Sequence, residues 1–181
     1  MQTLTLLSCP STGATAKASS ILNKNKALYG PQNALDIHDT CSCWNSDGDQ
    51  AGATTTAKKK PKQLIINFHR PVNLDGPDAY VKIVFQGGFV GLACSTSVSC
   101  DDGQSYQSLD SIVYDDDSDH HRVIEAEDCN DAQTFLFQKS RVDSVSRRGC
   151  THVKFAFQGS TDFYGRITIY RLEIWGHEVA N

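Results

Sequence analysis

No apolar run in this chain approaches the ~20 residues that a membrane-spanning helix requires. The short apolar patch at Leu4, Leu6 and Leu7 has no basic residues before it, which is not the pattern of a secretory leader, so an intracellular protein is expected. Positive charge is scarce as well. With 17 Lys and Arg against 21 Asp and Glu, the net charge of -4 supplies no basic face for direct nucleic-acid binding. Catalytic signatures are missing: there is no G-x-S-x-G, H-E-x-x-H, P-loop or kinase motif. The histidines at 38, 69, 120, 121, 152 and 177 are scattered, without the H-x-H and Glu spacing of metal-dependent jelly-roll enzymes, and an enzyme is not expected. No long segment carries the 3.6-residue apolar period of a helix.

What is present is a two-residue period. Leu64, Ile66 and Phe68 alternate, as do Val81, Ile83 and Phe85 against Lys82 and Gln86, and Val153, Phe155 and Phe157 against Lys154 and Gln158. Such runs predict half-buried antiparallel strands, the first of them, with Ile65 and Asn67 between its apolar residues, buried largely on both faces. Weaker strands are predicted near Thr96–Cys100, Ser108–Tyr114, Arg122–Ala126 and Thr134–Phe137, and a helical turn over Ser19–Asn25. In the last run, Ile167 and Ile169 point one way while Tyr170, Leu172 and Ile174 point the other. Either both faces are covered or a bulge changes the phase. Turns at Gly30–Pro31, Gly87–Gly88, Asp102–Gly103 and Gly149 punctuate the strands. The pattern predicts an all-β antiparallel sandwich or jelly roll. A chain of 181 residues is read as one domain, residues 1–181. Gly48 to Lys62 and Asp115 to His121 hold no apolar groups to bury and are read as surface loops. The seven cysteines are odd in number, and a chain of this length needs no staples, so free thiols are expected.

Order and motif add a family. N-A-L-D from Asn33, T-C-S-C-W-N-S-D from Thr40, F-Q-G-G-F from Phe85, a D-D-G turn and Y-R-L-E-I-W-G from Tyr170 follow one another as in the discoidin, or coagulation-factor C-type, domain. The resemblance covers Ser19 to Gly176, the expected core, and implies a galactose-binding-like jelly roll of about eight strands with recognition loops at one end. More narrowly, C-W-N-S-D, F-Q-G-G-F and T-D-F-Y-G-R-I-T-I-Y resemble the testicular orphan nuclear receptor-associated proteins, a group of small intracellular one-domain proteins. That resemblance implies a nuclear or cytoplasmic protein whose partner is a nuclear receptor or another regulator, with transcriptional repression as its role. Secreted discoidin domains often tie their ends with a disulfide. Here Cys9 has no counterpart beyond Cys150, in keeping with the intracellular branch.

The resemblance also implies one structural calcium ion, with Asp36, Thr40 or Ser42, a carbonyl near Asn33, and Glu173 as ligands. Oxygen donors with carboxylates suit a hard cation. The loop departs from the family pattern, with Ile37 where Gly is common and His38 and Asp39 displacing the acidic position. The alternative is that Asp36 hydrogen-bonds its own loop and Glu173 faces solvent. His38, Cys41 and Cys43 do not make a familiar structural zinc spacing and are read without metal.

Carbohydrate is the alternative ligand. An aromatic platform with polar neighbours would suit a sugar, and His38, Trp44, Asn45, Phe89, Phe163, Tyr164 and Arg166 lie near the expected loops. Phe163 and Tyr164 could equally anchor a turn in the core, which is the favoured reading, and Trp44 sits either at the rim or in the core. The recognition surface is therefore placed on Asp36–Asp47, the loop after Phe85, and Asp162–Arg166. Lys58, Lys59, Lys60 and Lys62, interrupted by Pro61, resemble a nuclear-import signal; the other reading is a lysine loop guarding a strand edge.

Overall fold

The computed structural model describes residues 3–49, 60–76, 78–109, 125–137 and 149–179. Its strands, in chain order, are β1 (Thr5–Leu6), β2 (Thr15–Ala18), β3 (Trp44–Asn45), β4 (Lys62–Asn73), β5 (Tyr80–Phe85), β6 (Gly91–Ser99), β7 (Gln107–Ser108), β8 (Ala132–Leu136), β9 (Cys150–Ser160) and β10 (Thr168–Glu178). All pair antiparallel in one curled sheet, in the order β7-β6-β9-β4-β10-β5-β8. β2 lies on β4, while β1 and β3 lie on β10. Only His177 and Glu178 of β10 reach Asn73 and Val72 of β4, so the sheet folds over at that seam into two facing layers.

Alternation places the core. Leu64, Ile66 and Phe68 of β4, Val153, Phe155 and Phe157 of β9, Val81, Ile83 and Phe85 of β5, and Leu172 and Ile174 of β10 are all buried. Phe157 meets Phe85 edge-on at 6.1 Å. At ~1.5–3 kcal/mol for each large apolar side chain, this burial is the main force closing the sandwich. The phase change in β10 is a bulge: its register against β5 shifts between Ile169 and Arg171. The expected helical turn is a 3-10 turn at Leu22–Lys24 followed by the short helix α1 (Lys26–Tyr29), whose N-cap Asn25 side chain accepts from the Leu28 N–H.

The sandwich has more strands than the eight expected because the two-residue segments β1, β3 and β7 add to strands already paired. Of the strand expected over Ser108–Tyr114, Ser108 ends β7 and Leu109 is not in a strand, nor are Glu125 and Ala126; the remainder of both lies outside the described residues. Asp115–His121 lies outside them too. All seven cysteines are free thiols, and burial pushes the Cys150 thiol up to about 12.

Candidate functional site

The connection from β9 to β10 builds a rigid turn from its own polar groups. Ser160 Oγ donates to the Arg166 carbonyl and accepts the Asp162 N–H. Asp162 accepts the Arg166 backbone N–H at 3.0 Å, its Nε–H at 2.9 Å and its Nη2–H at 3.1 Å. This fork-to-fork pairing is the strong form of a charged hydrogen bond. The Arg166 hydrogen bond holds the Asp162 carboxyl below its ordinary range, and the same contact raises Arg166. Gly165, at φ +74°, closes the turn by donating its N–H to the Asp162 carbonyl.

With the polar atoms folded inward, the two aromatic side chains are turned out. Phe163 is 90% exposed and Tyr164 61%, their rings edge-to-face at 5.2 Å. The reading in which these rings anchor the turn in the core is thereby overturned, because the polar groups of Ser160, Asp162 and Arg166 occupy the inner side of the turn. The Arg166 guanidinium lies 4.9 Å from the Phe89 ring centroid and 5.5 Å from that of Tyr164. Cation–π contact with both rings adds to its pairing with Asp162.

Two other loops support the turn. The Asp49 N–H donates to the Tyr164 carbonyl at 2.7 Å, and the Asp49 carboxylate pairs with Lys62 Nζ at 3.2 Å. Lys62 also donates to the Asp47 carbonyl at 2.7 Å. Beneath Arg166, the Gly87–Gly88 turn presents Phe89. Asn130 accepts the Gly87 N–H at 2.8 Å and Asp128 the Gly88 N–H at 2.7 Å. Asp49, Asp128 and Asn130 escaped the sequence reading because their partners are remote in the chain, and an isolated Asp or Asn has no periodic or spacing signal.

The structure divides the remaining candidates. Trp44 is not on a recognition surface. It is 0% exposed, stands 6.5 Å from Phe157, and spends its indole N–H on the Ser20 carbonyl. Its two-residue strand is the reason: Trp44 pairs with Ile169 of β10, and its side chain takes the inner face. Asn45, half-buried opposite Thr168, is likewise in the sheet rather than in a loop. His38 and Thr40 are exposed, but their loop lies elsewhere, with Ile37, Asp39 and Thr40 around a small cavity of about 130 Å³ against Val84, Tyr170 and Arg171. Lys58 and Lys59 lie outside the described residues. Lys60 is exposed, whereas Lys62 is the first residue of β4 and held by Asp49, so it is not part of a free basic peptide.

Of the donors expected to hold calcium, Asp36, the Asn33 carbonyl and Glu173 are engaged by the protein's own groups. Asp36 accepts the His38 N–H, and the Asn33 carbonyl already receives the Asp36 N–H and Ser42 Oγ–H. Glu173 does not face solvent: it is 8% exposed, accepts the Trp175 indole N–H at 3.0 Å, and has Arg171 Nε at 3.3 Å. A guanidinium in that position already supplies the positive charge a cation would bring. Among the described residues no three His, Cys, Asp or Glu side chains gather as a metal group.

The site is thus an exposed aromatic pair on a rigid turn, backed by a buttressed arginine. No protein-family model matches the sequence. The chain is 31% identical over 177 residues to the human nuclear receptor 2C2-associated protein, covering 96% of this chain and 97% of that protein. It is 30% identical to the mouse protein of that name, again covering 96% and 97%. Among solved structures, it resembles an F5/8 type C domain from Bacteroides fragilis with a TM-score of 0.62 at 11% identity, covering 93% of this chain and 94% of that one. A family 32 carbohydrate-binding module of Clostridium perfringens NanJ, solved in complex with galactose, superposes with a TM-score of 0.57 at 14% identity over 96% and 99% of the two chains. At such identities the structural likeness establishes the fold, a discoidin-type jelly roll.

Proposed function

The chain belongs to the nuclear receptor 2C2-associated protein family, and on that premise we propose that it is a non-enzymatic intracellular binding module. It captures a regulatory protein, a nuclear receptor in the first instance, on the Phe163–Tyr164–Arg166 turn, and acts as a transcriptional repressor. The observation that carries this reading is Phe163, a large apolar ring 90% exposed on a turn whose backbone is fixed by its own hydrogen bonds. Aromatic and arginine side chains dominate binding energy at protein interfaces, and a turn already ordered loses little entropy when it docks.

The test is calorimetric titration with purified nuclear receptor 2C2. The double variant Phe163→Ser, Tyr164→Ser is expected to bind about 30-fold more weakly, a loss of ~2 kcal/mol typical of an interface hot spot. Its melting temperature should stay near that of the parent, since both side chains are exposed. Undiminished binding by the folded variant would refute the reading.

Carbohydrate is the second reading, favoured by the exposed ring of Phe163 as a platform for a sugar face. The polar groups beside it weigh the other way, because Asp162 and Arg166 spend their strongest hydrogen bonds on each other. A glycan array separates the two: affinity for a simple sugar at millimolar concentration or better would displace the protein-partner reading.

A further inference from the structure

β4 stops three residues short of the end of its partner β9. Its first residue, Lys62, faces Phe157 of β9. β9 runs on through Gln158, Gly159 and Ser160, and there its described pairing is with β6 alone, Leu92 opposite Gly159 and Gly91 opposite Ser160. The residue that would continue β4 is Pro61, which has no N–H to give to a ladder and so ends it. An open groove of about 230 Å³ lies along this edge, which no described residue pairs, lined by Gln158, Gly159 and Ser160 together with Lys60, Lys62 and Phe163. The Ser160 hydroxyl is committed to its own turn, so what the edge offers is main chain.

The groove also has an uneven charge. Lys62 is paired with Asp49, and Asp162 with Arg166. Lys60 is exposed and has no ion pair among the described residues. Among the described residues, one positive charge without an ion pair therefore lines the groove, and the Phe163 ring lines it too. We propose that this groove receives an extended acidic and apolar segment of a partner protein, which adds as a strand beside Gln158–Ser160. The inference rests on the protein-partner reading of the Phe163 turn and names the form the partner takes there. Main-chain hydrogen bonds would hold the segment, as in other strand additions. Because side chains alternate along a strand, one face can set an apolar group against Phe163 while another position sets a carboxylate near Lys60.

The experiment selects a random displayed peptide library on the whole chain, then titrates a synthetic copy of the winning peptide while amide exchange is followed by NMR. Enriched peptides should alternate apolar residues with Asp or Glu and lack Pro. The synthetic peptide should slow exchange at Gln158, Gly159 or Ser160. Methylating its central backbone amide should weaken binding roughly tenfold, through the loss of a main-chain hydrogen bond. Lys60→Glu should weaken it roughly fivefold, through a reversed charge on an exposed side chain.

Failure to enrich peptides, indifference to the backbone methyl group, or protection confined to other amides would overturn the proposal. So would concentration-dependent protection of these amides in the protein alone, which would assign the edge to a second copy of the chain. Purified nuclear receptor 2C2 separates this inference from the reading beneath it. If Phe163→Ser abolishes receptor binding and Lys60→Glu leaves it unchanged, the groove proposal falls and the receptor reading stands. If the peptide binds as described and the receptor does not bind, the groove stands and the receptor reading falls.

Discussion

Replacing Trp44 with Phe should separate the core of this protein from its recognition surface. Trp44 is 0% exposed and donates its indole N–H to the Ser20 carbonyl at 3.1 Å. The phenyl ring, attached through the same Cβ, fills the pyrrole part of the indole site and leaves much of the distal six-membered part empty. That loses about two methylenes' worth of burial, ~1.5 kcal/mol at ~0.8 kcal/mol each. The Ser20 carbonyl loses its indole donor, which costs a further ~1 kcal/mol. A chain of this size loses roughly 2–4 °C of melting temperature per kcal/mol, so Trp44→Phe should melt about 5–10 °C lower. Differential scanning calorimetry measures that shift, and titration with purified nuclear receptor 2C2 at 25 °C measures binding by the folded fraction. Reduced stability with undiminished binding is the expected result. A variant that melts like the parent but binds the receptor poorly would place Trp44 on the surface and refute the packing argument.

The Asp162–Arg166 fork predicts an acid-side effect. Asp162 is held below the ordinary carboxylate range by its hydrogen bonds from Arg166, so the folded state binds its proton less readily than the unfolded chain does. The stability it contributes is therefore fully present above the unfolded carboxylate value of ~3.9 and is lost as pH falls through the lower folded value. Asp162→Asn should destabilise the protein at neutral pH and flatten this part of the acid limb in pH-dependent denaturant melts; an unchanged acid limb would show that the fork does not form in solution. Gly165→Ala should cost ~1–2 kcal/mol because φ is +74° there. The added methyl would also meet the Asp49 carboxylate, so the amide signals of Asp49 and Lys62 should move; unaltered melting and signals would contradict the turn geometry.

Local chemistry explains which parts of this protein were legible in one dimension. The strands over Leu64–Phe68, Val81–Phe85 and Val153–Phe157 declared themselves because a strand facing a core must alternate, and alternation is a property of neighbours in sequence. The bulge in β10 was legible for the same reason: it breaks that alternation at Tyr170, and the register shift falls there. Motif order carried the family, since N-A-L-D, F-Q-G-G-F and the terminal Y-R-L-E-I-W-G keep their sequence wherever the loops between them go. The Asp162–Arg166 turn could be singled out as a place of interest. Which of its residues would meet solvent could not.

The direction in which a side chain points was decided by the tertiary structure alone. Trp44 and Phe163 are both large aromatics in polar loops of the sequence, yet one is 0% exposed and the other 90%. Trp44 turns inward because its short strand joins β10 and the Ser20 carbonyl stands ready to accept its N–H. Phe163 turns outward because Ser160, Asp162 and Arg166 occupy the inside of the turn with hydrogen bonds that an aromatic ring cannot make. The same holds for Glu173, whose carboxylate looked like a calcium ligand until Arg171 and Trp175 were beside it. The alternating apolar pattern determines that a sandwich forms and which runs build its core. Partners in the folded chain, remote for Trp44 and Ser20 and near for Asp162 and Arg166, determine which polar groups are satisfied, and that in turn determines which rings are left to face water.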